Sequence, residues 1–394
     1  MGSKTPFTLK WGIMATGHIA KNFVKDLLTD PAIRDVHDVC HEVVAVASSS
    51  SVQKAVDFCA KVNASTKTKV YGSYAELVAD GEIDIVYIAT PHSHHFQNAM
   101  LALEAGKPIL CEKAFTVTSS QARKLVETAR TKQLFLMEAV WTRFFPLSIK
   151  VRELVASGVI GAVYRVIADN SLNRVLPEGD LDFQDSHRMV NLDLAGGAML
   201  DLGIYSLTWL MQILYHLQSD EKKEPPNVVA AINKYHTGAD EMTSFILQFA
   251  KHKSMGIGMT ALRIGSGVDY DFTGGPPIKI QGSAGEIQVM GPAFKPSAYR
   301  VIMKDGGGHI ETVHCPIPKD QNRDNWGHGM YWEADECARC LRDGKLESDT
   351  LPLEESIVVM EVMESTLRQG GVEYPQPITT DIYDRLSSLN TGRR

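Results

Sequence analysis

The sequence predicts an α/β protein in which a doubly wound parallel sheet is followed by an α+β domain with an open, largely antiparallel sheet. The first third of the chain alternates short β-branched runs with amphipathic stretches, as parallel strands joined by helices do. Apolar runs such as IDIVYIAT at 83–90 indicate strands buried on both faces. Beyond about residue 146 most segments alternate polar and apolar residues, which is typical of half-buried strands.

The length indicates two domains. At 394 residues the chain exceeds the roughly 250–300 residues that one hydrophobic core usually organises. We therefore expect a first domain at 1–145 and a second at 146–394.

The pattern predicts individual elements in both domains. Thr118 with Gln121 and Ser73 with Glu76 fit capping boxes at helix starts, and Gly106 fits a helix end. In the first domain we expect strands at Leu9–Met14, Glu42–Ala47, Asp84–Ala89, Ile109–Cys111 and Leu134–Met137. In the second we expect helices at 146–157 and 198–217, and strands at Val228–Tyr235, Thr243–Phe249, Ser254–Ala261, Ile278–Gln281, Glu286–Val289, Tyr299–Met303 and Ile310–Cys315.

Charge and composition exclude several classes of function. The net charge of -7 would repel a polyanion, so we expect no nucleic-acid partner. No apolar run approaches the ~20 residues that cross a bilayer, and the N-terminus lacks a signal-peptide pattern, so we expect a cytoplasmic protein without a membrane partner. The six cysteines are scattered, which favours reduced thiols over a disulfide framework.

A phosphate-binding turn follows the first predicted strand. Leu9–Met14 runs into Ala15-Thr16-Gly17-His18-Ile19-Ala20 and then a helix, which fits the dinucleotide fingerprint G-x-G-x-x-G/A with alanine in the first place. In this order of strand, turn and helix, the free N–H groups of the helix N-terminus meet a pyrophosphate. The first domain is therefore predicted to be a dinucleotide-binding Rossmann domain.

The second strand ends in serines instead of an acid. An NAD enzyme usually places Asp or Glu there to accept from the ribose 2'-hydroxyl, whereas this chain has Ser48, Ser49, Ser50 and Ser51, with Lys54 nearby. Hydroxyl groups and an ammonium group would donate to a 2'-phosphate, so NADP is favoured over NAD. A solvated loop with a helix cap would have the same sequence.

Several segments together resemble a known family. These are the fingerprint, ATPHSHHFQNA at 89–99, CEKA at 111–114 and AGGAMLDLGIY at 195–205, and their order and spacing are similar to those of the Gfo/Idh/MocA oxidoreductases. EAVWTRFFPLS at 138–148 and YWEADECARCLRDGK at 331–345 resemble the branches that oxidise D-xylose and trans-dihydrodiols.

The resemblance implies roles for particular residues. Pro91 and His95 would lie at the nicotinamide side of the cofactor, and Lys113 would point into the active site with Asp201 and Tyr205. The sequence departs from the common pattern twice: Ala114 replaces the usual proline after Glu-Lys, and Tyr205 stands where many members have a histidine. Asp201 and Tyr205 are four residues apart on a predicted apolar helix and would share one face. A carboxylate bonded to backbone and a packed core tyrosine would give the same pattern.

The expected activity is NADP-dependent oxidation of an aldopyranose, D-xylose foremost, at C1 to the lactone. Tyr205 would remove the hydroxyl proton. Because a free tyrosine has a pKa of about 10 and is protonated at neutral pH, the Lys113 ammonium would stabilise the phenolate. Asp201 would orient the substrate hydroxyl or Lys113.

The predicted site residues form three sets. The catalytic set is Lys113, Tyr205 and Asp201. The substrate-binding set is Trp141, Phe144, His187, Arg188, Asp201 and Tyr205. The cofactor-binding set is Ala15, Thr16, Gly17, His18, Ile19, Ser48, Ser49, Ser50, Lys54, Thr90, Pro91, His92, His95, Glu112, Lys113, Trp141 and Arg143.

The sequence also bears on a metal site, on two alternative functions and on self-association. His92, His94 and His95 crowd one helix start without a matching carboxylate motif, so we expect no metal site. A trans-dihydrodiol dehydrogenase or dicarbonyl reductase would use the same catalytic pair, and the family resemblance also includes a non-catalytic NADP-binding regulator. The open sheet of the second domain favours a homodimer.

Overall fold

The computed structural model of the chain describes residues 5–269, 272–304 and 311–391. The chain divides into two compact units. The first contains residues 1–141, 317–357 and 377–394, and the second contains 142–316 and 358–376. The segments at 317–357 and 377–394, which a division at 145/146 would leave in the second domain, therefore lie in the first unit.

A six-stranded parallel sheet forms the centre of the first unit. Its spatial order is β3-β2-β1-β4-β5-β6, the order of a doubly wound nucleotide-binding sheet, which confirms the predicted fold class. The five predicted strands are present. The sheet has one further strand, β3, which the sequence pattern did not indicate because its three residues contain no apolar run. The strands are β1 Phe7–Met14, β2 Val39–Ala47, β3 Lys69–Tyr71, β4 Ile85–Ile88, β5 Ile109–Glu112 and β6 Leu136–Ala139.

Helices join these strands and cover the sheet. Thr118 and Gln121 form the predicted reciprocal capping box at the start of α5. Ser73 caps α3 through the Glu76 N–H, but the Glu76 side chain bonds the Ser73 hydroxyl instead of its backbone. Gly106 follows the end of α4, as predicted, and its φ is positive at 76°. The helices are α1 His18–Leu27, α2 Val52–Lys61, α3 Tyr74–Ala79, α4 His95–Glu104 and α5 Ser119–Lys132.

An eight-stranded sheet forms the second unit. Its order is β14-β13-β12-β11-β7-β10-β9-β8, and every pair is antiparallel except β7 with β10. The strand β7 was missed by the sequence reasoning, although it lies in the middle of the sheet. Ile310 lies outside the described residues. The strands are β7 Val163–Asp169, β8 Asn227–Lys234, β9 Asp240–Phe249, β10 Ser254–Ala261, β11 Ile278–Gly282, β12 Gly285–Met290, β13 Ala298–Met303 and β14 Thr312–His314.

One face of this sheet is covered by a helix and the other is open. The helix α6 (Pro146–Ala156) precedes the sheet, and α7 (Ile204–Leu214) packs on β7 and β10. A π-helical turn, Met199–Gly203, leads into α7, and all eleven residues of α7 are buried. Leu192–Leu214 is the one described segment long and apolar enough to cross a membrane, and 94% of its apolar window is buried within the protein, as in a core helix.

Three further helices follow the second sheet along the chain. They are α8 Tyr331–Arg342, α9 Leu353–Gln369, which runs from the first unit into the second, and the short α10 Gln376–Thr379. A last turn, α11 Ser388–Thr391, packs on α4. Asp26 of α1 accepts hydrogen bonds from the indole of Trp326 and from the backbone N–H groups of His328 and Met330, which holds the returning segment against α1.

A buried ion pair attaches α8 to the first unit. Nε and Nη2 of Arg34 donate to the two carboxylate oxygens of Asp335, at 2.8 and 2.9 Å, and the two side chains are 1% exposed. The ring of His41 accepts from Trp11 through Nδ1 and therefore donates from Nε2 to Asp335 Oδ1 at 2.9 Å. Burial lowers the pKa of His41, so the ring is neutral and the pair carries no net charge.

Removing one partner of this pair is expected to destabilise the protein strongly. Asp335→Ala leaves the Arg34 charge buried without its acceptor, so the free energy of unfolding should fall by about 3–5 kcal/mol. Urea unfolding followed by tryptophan fluorescence measures this loss. Lys124→Ala, which removes an exposed pair with Glu127, is the control and should change stability by less than about 0.5 kcal/mol. Equal small effects of both substitutions would contradict the prediction.

Candidate active site

The turn between β1 and α1 leaves the start of the helix open. Ala15 has a positive φ of 84°, a conformation that favours glycine, and its N–H donates to Ala47 O at 3.1 Å. Gly17 directly precedes α1. Apart from its chain neighbours and the backbone of the helix, no residue has an atom within 4 Å of the position that its Cβ would take. Thr16 and Ile19 are half-buried, and His18 is exposed with its ring 3.1 Å from the amide of Asn22. The first turn carries no acid, so its N–H groups and dipole suit an anion.

Thr90 adds a second observation that fits a dinucleotide. It follows β4, beside the end of β1, since the N–H of Ala89 donates to Met14 O at 3.0 Å. Its hydroxyl is buried and has no hydrogen-bond partner among the described residues. An open helix N-terminus next to an unsatisfied buried hydroxyl is the arrangement that a bound dinucleotide would complete.

The serines after β2 form a small polar cluster with Lys54. Lys54 Nζ donates to Ser50 Oγ at 3.0 Å, and Ser50 Oγ lies 3.3 Å from Ser48 Oγ. Ser51 instead caps α2 by accepting from the Gln53 N–H, so the helix-cap reading is correct for Ser51. Ser49 forms a hydrogen bond with the buried Tyr74. Burial raises the pKa of Tyr74, and the bond to Ser49 opposes part of that rise. The cluster contains donors and one cation but no carboxylate.

His95 holds two loops together. Its fully buried ring lies 2.9 Å from both Thr90 O and Ala114 O, which joins the loop after β4 to the loop after β5. Burial lowers its pKa to about 4, so the ring is neutral and donates to only one carbonyl at a time. His92 is also buried, with its ring 5.6 Å from that of His95, and Pro91 before it is exposed. No group of three His, Cys, Asp or Glu side chains suited to a metal occurs within the described ranges.

Glu112 and Lys113 end β5 at the same edge of the sheet. Glu112 is buried, accepts a hydrogen bond from the hydroxyl of Tyr87, and accepts from the Lys113 N–H at 3.1 Å. Lys113 is half-buried. Parallel strands place the ends of β1, β2, β4 and β5 along one edge, so the first unit brings the predicted cofactor residues of these four loops to the same edge.

The aromatic segment after β6 is buried. The ring of Trp141 stacks on that of His328, with centroids 4.8 Å apart and planes at 10°. In the second unit Arg143 is 1% exposed and Phe144 is 4% exposed. The structure thus surrounds these predicted contact residues with protein, and their roles toward cofactor and sugar stay predictions.

Asp201 lies within the π-helical turn before α7. Such turns insert a residue into a helix and are frequent at functional sites. Asp201 is 8% exposed, and its two carboxylate oxygens accept from the guanidinium of Arg188 at 3.0 and 3.5 Å. The sequence reasoning put Arg188 and Asp201 in the substrate-binding set without predicting this ion pair. His187 is exposed, stacks on Phe183 at 4.6 Å, and accepts from the Met189 N–H.

Tyr205 follows on the first turn of α7 and is 6% exposed. Its ring lies 5.7 Å from that of Phe294. The loop that carries Phe294 is held by Trp209 of α7, whose indole donates to Ala293 O at 2.9 Å, and by the hydroxyl of Thr142, which donates to Phe294 O. Phe294 was missed because its loop between β12 and β13 has no functional pattern. Lys113 belongs to the first unit and Tyr205 to the second, so their pairing stays a prediction.

Comparison with known proteins gives two family matches. Residues 9–140 match the model of the Gfo/Idh/MocA oxidoreductase family with its NAD-binding Rossmann fold. Residues 148–288 match the Gfo/Idh/MocA C-terminal domain.

Characterised relatives align over nearly the whole chain. D-xylose 1-dehydrogenase (NADP+) of Hypocrea jecorina is 63% identical over 100% of both chains. The human trans-1,2-dihydrobenzene-1,2-diol dehydrogenase is 34% identical over 93% of this chain and 98% of its own.

Solved structures share the fold. A levoglucosan dehydrogenase in complex with NADH and levoglucosan superimposes with a TM-score of 0.75 at 16% identity, over 92% of this chain and 97% of that one. A 3-ketoreductase from Actinomadura kijaniata with bound NADP gives a TM-score of 0.68 at 21% identity, over 92% and 98%. With two family domains matched in order and relatives aligned over the full length, the chain belongs to the Gfo/Idh/MocA family of oxidoreductases.

Proposed function

We propose that this protein is an NADP-dependent dehydrogenase that oxidises D-xylose, in its pyranose form, at C1 to the lactone. The observation that carries the proposal is the 63% identity, over the full length of both chains, with a D-xylose 1-dehydrogenase that uses NADP+. The open start of α1 and the unsatisfied Thr90 hydroxyl support the cofactor half of the proposal.

The polar cluster after β2 supports NADP over NAD. A ribose 2'-phosphate carries negative charge and strong acceptor oxygens, which suit the Ser48 and Ser50 hydroxyls and the Lys54 ammonium. An acid at this position would repel the phosphate, and the cluster has none. We therefore assign Ser48, Ser50 and Lys54 to recognition of the 2'-phosphate.

The chemistry assigned to the protein is proton transfer and orientation. NADP+, when bound, accepts a hydride from C1 of the sugar. Tyr205 takes the proton of the C1 hydroxyl as the carbon–oxygen double bond of the lactone forms. Before this transfer Tyr205 must be ionised, and Lys113 stabilises the negative charge of its phenolate, because a tyrosine with an ordinary pKa keeps its own proton at neutral pH.

Asp201 has an orienting role in this scheme. The Arg188 guanidinium holds the Asp201 carboxylate through both oxygens, and a carboxylate oxygen can accept more than one hydrogen bond. A charge-paired carboxylate of this kind orients a hydroxyl without taking its proton. Tyr205 is therefore the proposed base and Asp201 the proposed orienting group.

Turnover is expected to depend on the phenol and the ammonium. Tyr205→Phe and Lys113→Met should each lower kcat for D-xylose oxidation by about 100-fold or more, the usual range for loss of a general base or of the group that supports it. Absorbance of the reduced nicotinamide measures the rate, and NADPH fluorescence titration checks that cofactor still binds. Tyr383→Phe removes the hydroxyl of a tyrosine that belongs to none of the predicted site sets, and it should leave kcat unchanged. Retention of parental kcat by Tyr205→Phe would refute the assigned base.

Cofactor preference is expected to depend on the cluster after β2. Lys54→Ala should weaken NADP binding about tenfold or more, since it removes a charge-assisted contact, and should leave NAD kinetics unchanged. Ser48→Asp should shift preference toward NAD by introducing the acid that accepts from a 2'-hydroxyl. The test is the KM for each cofactor, with Lys61→Ala at the far end of α2 as the control. A KM that rises equally for both cofactors in Lys54→Ala would show that the assignment is wrong.

We also propose that the open face of the second unit's sheet forms a homodimer interface. Val229, Ile246, Ile257 and Ile167 are directly opposed across β8, β9, β10 and β7, so they form an apolar row on the face away from α7. Polar pairs continue this face: Arg300 donates to Gln288 farther along the same row, and Arg165 donates to Gln281 in the neighbouring row. An exposed apolar row rimmed by polar groups is the composition of a protein interface.

An acid in the middle of the apolar row should separate the subunits. In the single chain Ile246 is 39% exposed, and Ile246→Glu would bury a charge at the centre of the proposed interface. Sedimentation equilibrium should give the mass of a dimer for the parent and of a monomer for this variant. Val56→Glu, on the 41% exposed Val56 of α2, is the control and should stay dimeric. A parent that sediments as a monomer at micromolar concentration would reject the interface.

A second candidate activity is trans-dihydrodiol oxidation. It is supported by the 34% identity with dihydrodiol dehydrogenases over 93% of this chain. Comparing D-xylose with trans-1,2-dihydrobenzene-1,2-diol as the hydride donor decides between the two. A non-catalytic regulator would bind NADPH and turn over neither.

A further inference from the structure

The π-helical turn that carries Asp201 begins without a cap of its own. The residue before it, Ala198, has no side-chain acceptor for the first free N–H groups. A helix start buried in this way needs an acceptor from elsewhere in the protein. Asp240, the first residue of β9, supplies it: Asp240 Oδ2 accepts from the Met199 N–H at 2.7 Å.

Asp240 is itself held in one orientation. Its Oδ2 atom also accepts from the Thr243 hydroxyl, at 2.8 Å, and the side chain is 0% exposed. Asp240 and Met199 are separated by 41 positions in the sequence, so the contact attaches the turn directly to the sheet. Two residues after Met199 comes Asp201, and six residues after it comes Tyr205.

Gly197 makes room for this carboxylate. A Cβ at position 197 would lie 2.0 Å from Asp240 Oδ1, and the φ of Gly197 is 137°, which a residue with a side chain rarely adopts. A glycine is therefore required at position 197, because the Asp240 carboxylate occupies the space that a side chain would need. The carboxylate, the glycine and the helix start form one packed unit.

The charges around the carboxylate agree with a capping role. Burial raises the pKa of Asp240 to about 6, and the bonds from Thr243 and Met199 oppose that shift. Negative charge on a carboxylate at a helix start is favourable. Tyr374, in the segment after α9, is half-buried, and its hydroxyl donates to Gly196 O at 3.0 Å. The pKa of Tyr374 is raised mainly by burial and also by the negative charge of Asp240.

We propose that Asp240 is a positioning residue for the reaction: its carboxylate holds the turn at 199–203 in place and thereby sets the positions of Asp201 and Tyr205. The proposal rests on the proposed proton transfer by Tyr205. It assigns no contact between Asp240 and the substrate. Loss of the acceptor for the Met199 N–H should therefore lower kcat and leave cofactor affinity unchanged.

Three substitutions in the full-length protein test this role. Asp240→Ala removes the acceptor, and Gly197→Ala displaces it, so each should lower kcat for D-xylose about tenfold or more with the KM for NADP within about twofold. Asp240→Asn keeps a carbonyl acceptor of the same shape and should recover most of kcat. Thr118→Ala, which removes an equally complete helix cap on α5, is the matched control and should lower the melting temperature without changing kcat.

Hydrogen exchange gives a readout that does not depend on activity. In the cofactor-free protein, Asp240→Ala should speed amide exchange in a peptide covering 196–205 by about fivefold or more, and Asp240→Asn should change it by less than about twofold. Amides of β10 and β11 should exchange as in the parent. A merely structural loss would instead speed exchange across the whole second unit.

The outcomes separate this proposal from the proposed function. A parent without turnover on D-xylose refutes the proposed function, and the exchange experiment then still decides whether Asp240 holds the turn. A parent that turns over D-xylose, together with an Asp240→Ala variant of unchanged kcat or unchanged exchange at 196–205, refutes the positioning role. If Asp240→Ala does not fold, Asp240→Asn decides: a tenfold loss of kcat in that isosteric variant, with parental exchange, also contradicts the proposal.

Discussion

The common direction of the six strands in the first unit is the constraint on which the candidate cofactor site depends. Because β1, β2, β4 and β5 all run the same way, the turns that follow them end at one edge of the sheet. The open start of α1, the serine cluster, Thr90 and Glu112-Lys113 each follow one of these strands. The buried ring of His95 lies between the loops after β4 and β5, 2.9 Å from a carbonyl oxygen of each, so its packing contributes to their spacing.

The second unit faces a different physical problem, which is the burial of a polar segment within an apolar helix. The helix α7 across the sheet is fully buried, and the turn that leads into it carries Asp201 and has no side-chain cap from its own preceding residue. Three polar groups of this turn find partners from other parts of the fold: Arg188 for the Asp201 carboxylate, Asp240 for the Met199 N–H and the amide of Asn170 for Leu202 O. These partners satisfy the buried groups and hold the turn against the sheet.

The sequence reasoning predicted the parallel sheet, most strands of the second sheet and the nucleotide-binding turn, because each has a local pattern of apolar residues, caps or glycine. It missed β3, which is short, and β7, which is central in its sheet although Gly158 and Gly161 separate it from the preceding helix. It also missed the pairing of Arg188 with Asp201 and the contact of Phe294 with Tyr205. In both cases the two residues lie in different elements, and no spacing along the chain indicates that they meet.

What the sequence determined by itself is therefore the set of elements and the identity of the family, since strands, helix starts and the fingerprint depend on neighbours in the chain. Only the tertiary structure decided which distant side chains meet. Arg34 pairs with Asp335 across 301 positions, and Met199 bonds Asp240 across 41. The physical reason is that a buried charge or N–H group needs a partner from whichever element packs against it, and that choice is made by the packing of whole helices and sheets.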